Sequence, residues 1–402
     1  MPNTPQFNYF LSSIKNQVQK DDKIWKSAIP VNLKPPKATL GFSFSYGDYF
    51  KAARSFLSAN ECKIITAAVS QVTNQRIMLS DIKRVNIFQE KHGEFYHPAR
   101  VETIVREKKF SFVLNVALSE TGKSCMKREY ELLQRLSSKF KNSYIPNVYG
   151  RDEICLDHNL NIDMFLGQWF EGYHEFHLSQ EHAGSRKKIL AWDTACAGFF
   201  LSKNQTRDLY RQAAMILTLY YDIENLNQIF PWHHAAGDFV IRIKDSEIDL
   251  KLITVRQYAP LFDHIDRIEG NTRRLQFIIE GMLVFFLNLS IRMRLDRLDG
   301  VGDIVWSDDC AVQETLRGFY QALALKPKVP FIPAPQADFF SDYLSALPES
   351  QLYDLSSSIA NTYNPAAPEV PVIRDQLKSH VASLYHSIKA HRDHSRSQAE
   401  AV

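Results

Sequence analysis

The feature that most narrows what this chain can fold into is a change of hydrophobic period along it. From 76 to 118 the apolar residues fall in short β-branched and aromatic runs, IMLSDIKRVNIF, ARVETIV and KFSFVLNVAL, separated by His-Gly and charged turns. A period near two sends successive side chains to opposite faces of a sheet. SCMKREYELLQRLSSKF then returns to the helical period, and IPNVYGRDEICL and DMFLGQWF read as two further strands. Gly172 follows that run and frees the chain to turn, and beyond it the pattern is mainly helical. A β-rich part followed by a helix-rich part implies an α+β chain with a boundary near 170.

Ahead of the sheet, residues 1 to 46 carry Pro30, Pro35 and Pro36 without a clear period, whereas GDYFKAARSFLSANECKIITAAVSQV repeats apolar residues every three or four positions. Residues 1–75 are therefore expected to be an N-terminal extension with an amphipathic helix, 76–170 a sheet-based lobe, 171–390 a helical lobe, and 391–402 a frayed polar tail. Within the second lobe, TRDLYRQAAMILTLYYDIENL predicts a helix with Thr206 as N-cap and Asp208 in its first turn. FVIRI and DLKLITV, joined by KDSE, predict a hairpin. A helix-loop-helix follows from about 271 to 324, and KPKVPFIPAPQADF predicts an extended strap before two closing helices.

Composition removes several classes. With 45% hydrophobic and 12% aromatic residues the chain is neither disordered nor fibrous. A net charge of +3, from 48 basic and 45 acidic residues, sets up no field that would select nucleic acid or an anionic membrane. Five cysteines, at 62, 125, 155, 196 and 310, form no CxxC pair and read as reduced buried thiols. The N-terminus lacks the basic start and apolar run of an export signal. LQFIIEGMLVFFLNLSI is broken by Gln276, Glu280 and Asn288 and flanked by Arg273, Arg274, Arg292 and Arg294, which predicts a core helix rather than a membrane span. The expectation is a cytoplasmic protein whose partner, small molecule or protein, is left open.

Four short stretches carry the chemistry. FVLNVAL places Asn115 on the third strand of the sheet, and KREYELLQRL places Glu129 on the helix after it. PWHHAAGDFVI leads into the first hairpin strand, and DLKLITVRQY ends the second with Thr254, Val255 and Arg256. With the order of elements over roughly residues 80 to 300, these stretches resemble the protein-kinase-like superfamily, most of all its aminoglycoside and choline phosphotransferase branch.

That resemblance implies a two-lobed kinase-like fold, with an antiparallel-sheet N-lobe and a helical C-lobe, and ATP and Mg²⁺ as cofactors. It puts Asn115 where a phosphate-gripping lysine belongs and makes Glu129 that lysine's partner, with Lys123, Lys127 or Arg100 as substitute cations. It puts His233 at the catalytic-base position with His234 beside it, Asp238 at a metal-binding position, and Thr254 where a second metal-binding Asp belongs. A threonine hydroxyl does not supply the anionic oxygen that fixes magnesium between two phosphates. Trp169, Tyr173 and Trp232 are candidate stacking residues, and Glu171 beside Trp169 joins the cofactor-binding set.

The reading that results is a pseudokinase with a binding or regulatory role, whose cleft takes nucleotide weakly or not at all. Two rivals stand beside it. One is an atypical ATP- and Mg²⁺-dependent phospho- or nucleotidyl-transferase acting on a small molecule, with His233 or His234 as base and Asp238 as metal ligand. The other is a P-loop nucleotide hydrolase, because ALSETGKS at 117–124 fits the loose phosphate-loop pattern between a strand and a helix, although only Gly122 frees the loop. HEFH at 174–177 is not HExxH, and the HRD at 391–393 sits in a polar tail with no hairpin after it. RMRLDRLDGVGD reads as a salt-bridged helix end closed by Gly300, with Asp296, Asp299 or Asp303 as candidate replacements for a missing carboxylate.

Overall fold

A computed structural model describes residues 5–12, 17–30, 44–93, 95–156, 160–182, 184–192, 198–233, 237–262, 270–329, 332 and 335–400. The chain divides into two compact units, Met1–Glu171 and Gly172–Val402. Gly172, at φ 74, makes the turn that its position suggested.

The first unit runs β1 (Gln6–Leu11), β2 (Gln17–Val18), α1 (Lys23–Lys26), α2 (Tyr46–Thr73), β3 (Ile82–Gln89), β4 (Ala99–Val105), β5 (Lys108–Ala117), α3 (Glu120–Lys139), β6 (Val148–Leu156) and β7 (Leu160–Gln168). Its strands form one seven-stranded sheet in the order β2-β1-β3-β4-β5-β7-β6. Every neighbouring pair is antiparallel except β1 and β3. The N-terminal segment is thus no extension: β1 pairs with β3 over its whole length, from Gln6 against Arg84 to Leu11 against Gln89. Its QFNYFL alternates, but six residues beside a proline-rich stretch give too short a signal to separate from coil.

Period-two alternation decides what each sheet face does. On β4, Ala99, Val101, Thr103 and Val105 are buried, while Arg100 and Glu102 take the other face. The buried face continues through Phe112, Leu114 and Val116 of β5 and Ile162, Met164 and Leu166 of β7, and Tyr49, Phe50, Phe56, Leu57, Ile65 and Val69 of α2 share that core. α2 starts from a reciprocal Ser45–Asp48 capping box and is kinked at Ala59–Cys62. α3 brings Tyr130 to within 5.9 Å, ring to ring, of Phe165 on the opposite face of β7.

The second unit runs β8 (Phe176–Ser179), β9 (Lys188–Ala191), β10 (Phe199–Phe200), α4 (Lys203–Tyr220), β11 (Asn227–Ile229), β12 (Phe239–Lys244), β13 (Glu247–Leu252), β14 (Tyr258–Pro260), α5 (Asn271–Arg292), β15 (Leu295–Arg297), β16 (Ile304–Trp306), α6 (Cys310–Leu325), α7 (Gln336–Ala346), α8 (Glu349–Asn361) and α9 (Glu369–Glu400). β12 and β13 form the expected hairpin, closed by Asp245 and Ser246 at φ 51 and 70, the left-handed pair that a two-residue turn requires. α4 begins earlier than Thr206 implied. Ser202 caps it through a box with Gln205, and the Thr206 N–H already donates to the Ser202 carbonyl.

α5 is long and apolar enough to cross a membrane by length and composition alone. Most of its apolar side chains are buried within this unit, with Phe285 stacked on Tyr221 at 4.1 Å and Phe286 against Phe319 at 4.7 Å, so it is a core helix. It ends at Arg292, and RMRLDRL is no helix end: Leu295–Arg297 pairs with Ile304–Trp306 as a small hairpin. Arg292, Arg294 and Asp296 are all buried, whereas the Arg/Asp spacing had suggested a salt-bridged helix end. Three helices, not two, follow the proline strap, and α9 carries the polar tail in helix as far as Glu400. Of the four described cysteines only Cys62 is fully buried, and Cys155 is exposed.

Candidate functional site

In the second unit, two antiparallel pairings bring the segment before β12 beside the segment after β13. β11 pairs with β14, placing Ile229 against Tyr258, and the open end of the β12–β13 hairpin is closed by the Ile253 N–H donating to the Asp238 carbonyl at 2.7 Å. Asp238 and Arg256 therefore meet although 18 residues separate them.

Asp238 is completely buried. Its Oδ2 accepts from the His233 backbone N–H at 2.8 Å and from Arg256 Nη1 at 2.6 Å, while its Oδ1 accepts from no described residue. A charge-assisted bond of this length is among the stronger a carboxylate makes.

Arg292, the last residue of α5, closes the group from another side. Its guanidinium carbon lies 5.2 Å from the ring of Phe230, 6.0 Å from Trp232 and 5.8 Å from Tyr363. Nη2 donates to the Trp232 carbonyl at 3.2 Å, and Nη1 is 4.0 Å from Glu369. His233 keeps an exposed face. Desolvation by the atoms around it and the charge of Arg292 nevertheless hold its pKa below the ordinary imidazole value, with Arg256 acting in the same direction and Asp238 against it. His234 lies outside the described residues, and Thr254 is half-buried just past β13. Among the described residues no three His, Cys, Asp or Glu side chains gather as a metal site.

In the first unit, Asn115 stands opposite Phe165 on the sheet face that α3 covers, and Glu129 of α3 is buried. Lys123 pairs with Glu120 at 2.7 Å, Arg100 pairs with Glu90 at 2.8 Å and with Glu102, and Lys127 is exposed.

The phosphate-loop reading is overturned by local geometry. β5 continues to Ala117, which pairs with Asp163, and α3 begins at Glu120, so Leu118 and Ser119 are the whole connection. The Gly122 N–H is bound by the Ser119 hydroxyl and the Lys123 N–H by the Ser119 carbonyl. A Cβ on Gly122 would sit 2.5 Å from the Phe95 carbonyl oxygen, so the glycine serves close packing of α3 against that backbone. Lys123 lies in the first turn of α3, half-buried and paired with Glu120.

The aromatic residues expected to stack on a ligand stack on cations of the chain instead. Trp169 lies 5.9 Å from Arg100, whose guanidinium also covers Phe88 at 4.2 Å. Tyr173 lies 4.8 Å from Arg242 and donates its hydroxyl to Asp249. Trp232 is buried beneath Arg292. Desolvation would raise the pKa of Glu171, but hydrogen bonding and the charges of Lys109 and Arg100 hold it below the usual carboxylate range. Trp169 and Glu171 line a shallow concavity of about 230 Å³ with Phe110, Phe112 and Tyr149.

The remaining acidic candidates serve backbone and loops. Asp296 accepts from the Leu178 N–H at 2.6 Å and the Arg297 N–H at 2.7 Å, and Asp299 accepts from the Ser179 hydroxyl. The Asp303 carbonyl takes the Leu298 N–H. Of the HEFH histidines, His174 pairs with Ile241 through its backbone, and His177 is buried against Trp192. Arg256 is the residue the sequence argument passed over. Its signal was available in the hairpin pairing, which sets the residues after β13 level with those before β12.

No known family matches this sequence, and no curated protein matches it. Among solved structures, a structure of WaaP in complex with acyl carrier protein aligns with 68% of this chain and 88% of its own, at 8% identity and a TM-score of 0.28. That superposition is too loose to assign the chain to a family.

Proposed function

We propose that this protein is a kinase-like pseudoenzyme that serves by binding rather than by phosphoryl transfer. The observation that supports the reading is the ion pair between Asp238 and Arg256. The carboxylate that the kinase resemblance offers to a metal is spent on a guanidinium and a backbone amide. A divalent ion would find Oδ2 already taken by both donors, would have only the buried Oδ1 to bind, and would bring its charge against the Arg256 guanidinium.

ATP and Mg²⁺ do not fit the residues present. Asn115 carries no charge for the phosphates, Lys123 is held by Glu120, and Thr254 offers a neutral oxygen where the metal needs an anionic one. The partner that such a protein would bind is a small molecule or another protein.

The test is thermal denaturation of the full chain in the presence of ATP with and without Mg²⁺, because a ligand that binds the native state raises its melting temperature with concentration. The expected outcome is no shift at millimolar nucleotide. A magnesium-dependent rise that disappears in Asp238→Asn overturns the reading and favours the atypical transferase.

A further inference from the structure

Away from the hairpin site, α4 and α6 pack side by side and in parallel. Lys326, just past the end of α6, reaches the carbonyls of Leu219 and Tyr221 at the end of α4, at 2.9 and 2.6 Å, while Arg211 at the middle of α4 meets Gln321 and Gly318 from the middle and second half of α6. The crossing is tight at Gly318, where a Cβ would lie 2.1 Å from the Arg211 carbonyl oxygen.

This packing sets two stripes of polar side chains against each other. Asn204, Arg207, Asp208 and Arg211 recur on one face of α4, and Glu314 and Arg317 face them from α6, around an open concavity of about 470 Å³. The floor is Glu314, 3% exposed, which takes Arg317 Nη1 at 2.9 Å. Arg211 is held by Asp208 at 2.8 Å and by Gln321 at 3.3 Å. Arg207 is exposed and makes no hydrogen bond or ion pair with any described residue. Three guanidiniums thus share two carboxylates, one of them sunk beneath the groove, and one fork is left open to solvent.

We propose that this groove binds a phosphoryl group. Guanidinium is planar and presents paired N–H donors that match two oxygens of a phosphate. Arg211 is fixed by its own hydrogen bonds and Arg317 by the buried Glu314, so an entering anion meets donors whose conformations are already restricted. Arg207 supplies the unspent charge, and the Asn204 amide adds a neutral donor at the rim. The proposal does not depend on the reading of the hairpin site.

The experiment is calorimetric titration of the full chain with inorganic phosphate, with ionic strength held constant by chloride. Saturable binding is expected, weakened about tenfold in Arg207→Gln, the loss of one charge-assisted donor. Lys203→Gln, which removes an exposed cation outside the groove, should bind as the native protein does. Arg207 touches Glu314 only through its charge and makes no hydrogen bond or ion pair with a described residue, so the melting temperature of Arg207→Gln without phosphate should change little, which separates lost binding from lost folding. Co-sedimentation with vesicles containing phosphatidic acid, set against phosphatidylcholine alone, tells a lipid headgroup from a soluble phosphate. Absence of saturable binding, equal affinity in Arg207→Gln, or equal weakening in Lys203→Gln each overturns the assignment.

Discussion

Replacing Arg256 with Gln tests the ion pair on which the functional reading rests. Asp238 is wholly buried and Arg256 is 38% exposed, so the loss falls almost entirely on the carboxylate. Breaking a fully buried pair by removing one partner costs about 3–5 kcal/mol, whereas an exposed pair is worth at most about 1 kcal/mol. One partner here is partly screened by solvent, and the His233 amide still reaches Oδ2, so the expected loss is about 2–3 kcal/mol. For a unit of this size that is a fall in melting temperature of about 5–10 °C. Asp238→Asn should also destabilise, because Arg256 then faces an amide rather than a charge. The double variant should lose less than the sum of the two by about 1–2 kcal/mol. The assay is urea denaturation followed by circular dichroism, with all four proteins at one pH and salt concentration. Single effects that add to within about 0.5 kcal/mol would show that the two side chains act independently, and the argument from their pairing would fail.

Two further outcomes follow from other parts of the structure. Burial and the facing His92 hold the pKa of His97 down to about 4, and burial beside Arg294 holds His380 down to about 3, against 6.5 for a free imidazole. Both folded values lie below the unfolded one, so the unfolded chain binds more protons between them and stability falls as pH drops through 6.5 towards 4. Melting temperatures across that range should show the loss, and His97→Gln should flatten it. Gly318→Ala forces a methyl against the Arg211 carbonyl and should destabilise the second unit by about 3 kcal/mol, read from its urea midpoint, because neither helix backbone can give way cheaply.

Much of the architecture was legible in the sequence because the signals are local. ARVETIV and KFSFVLNVAL alternate, and the strands they become alternate in burial. KDSE announced a hairpin connection, and Gly172 a change of direction. The misreadings fall where a local pattern had two physical outcomes. Alternating Arg and Asp suits a solvated helix, but Arg292, Arg294 and Asp296 are buried, each against backbone or side-chain partners that lie elsewhere in the chain. GKS after a strand suits a phosphate loop, but whether the loop exists depends on how far the strand is paired, which β7 decides.

By itself the sequence determined the texture of the chain: where it alternates and where it turns helical. Only the tertiary structure decided what the charged groups do. It set Arg256 on Asp238, Arg100 between Glu90 and Glu102, and Arg207 at an open groove. The physical reason is that hydrophobic period is a property of neighbours along the chain, whereas the role of a charge is fixed by burial and by the nearest opposite charge, and both are settled by residues far away in sequence.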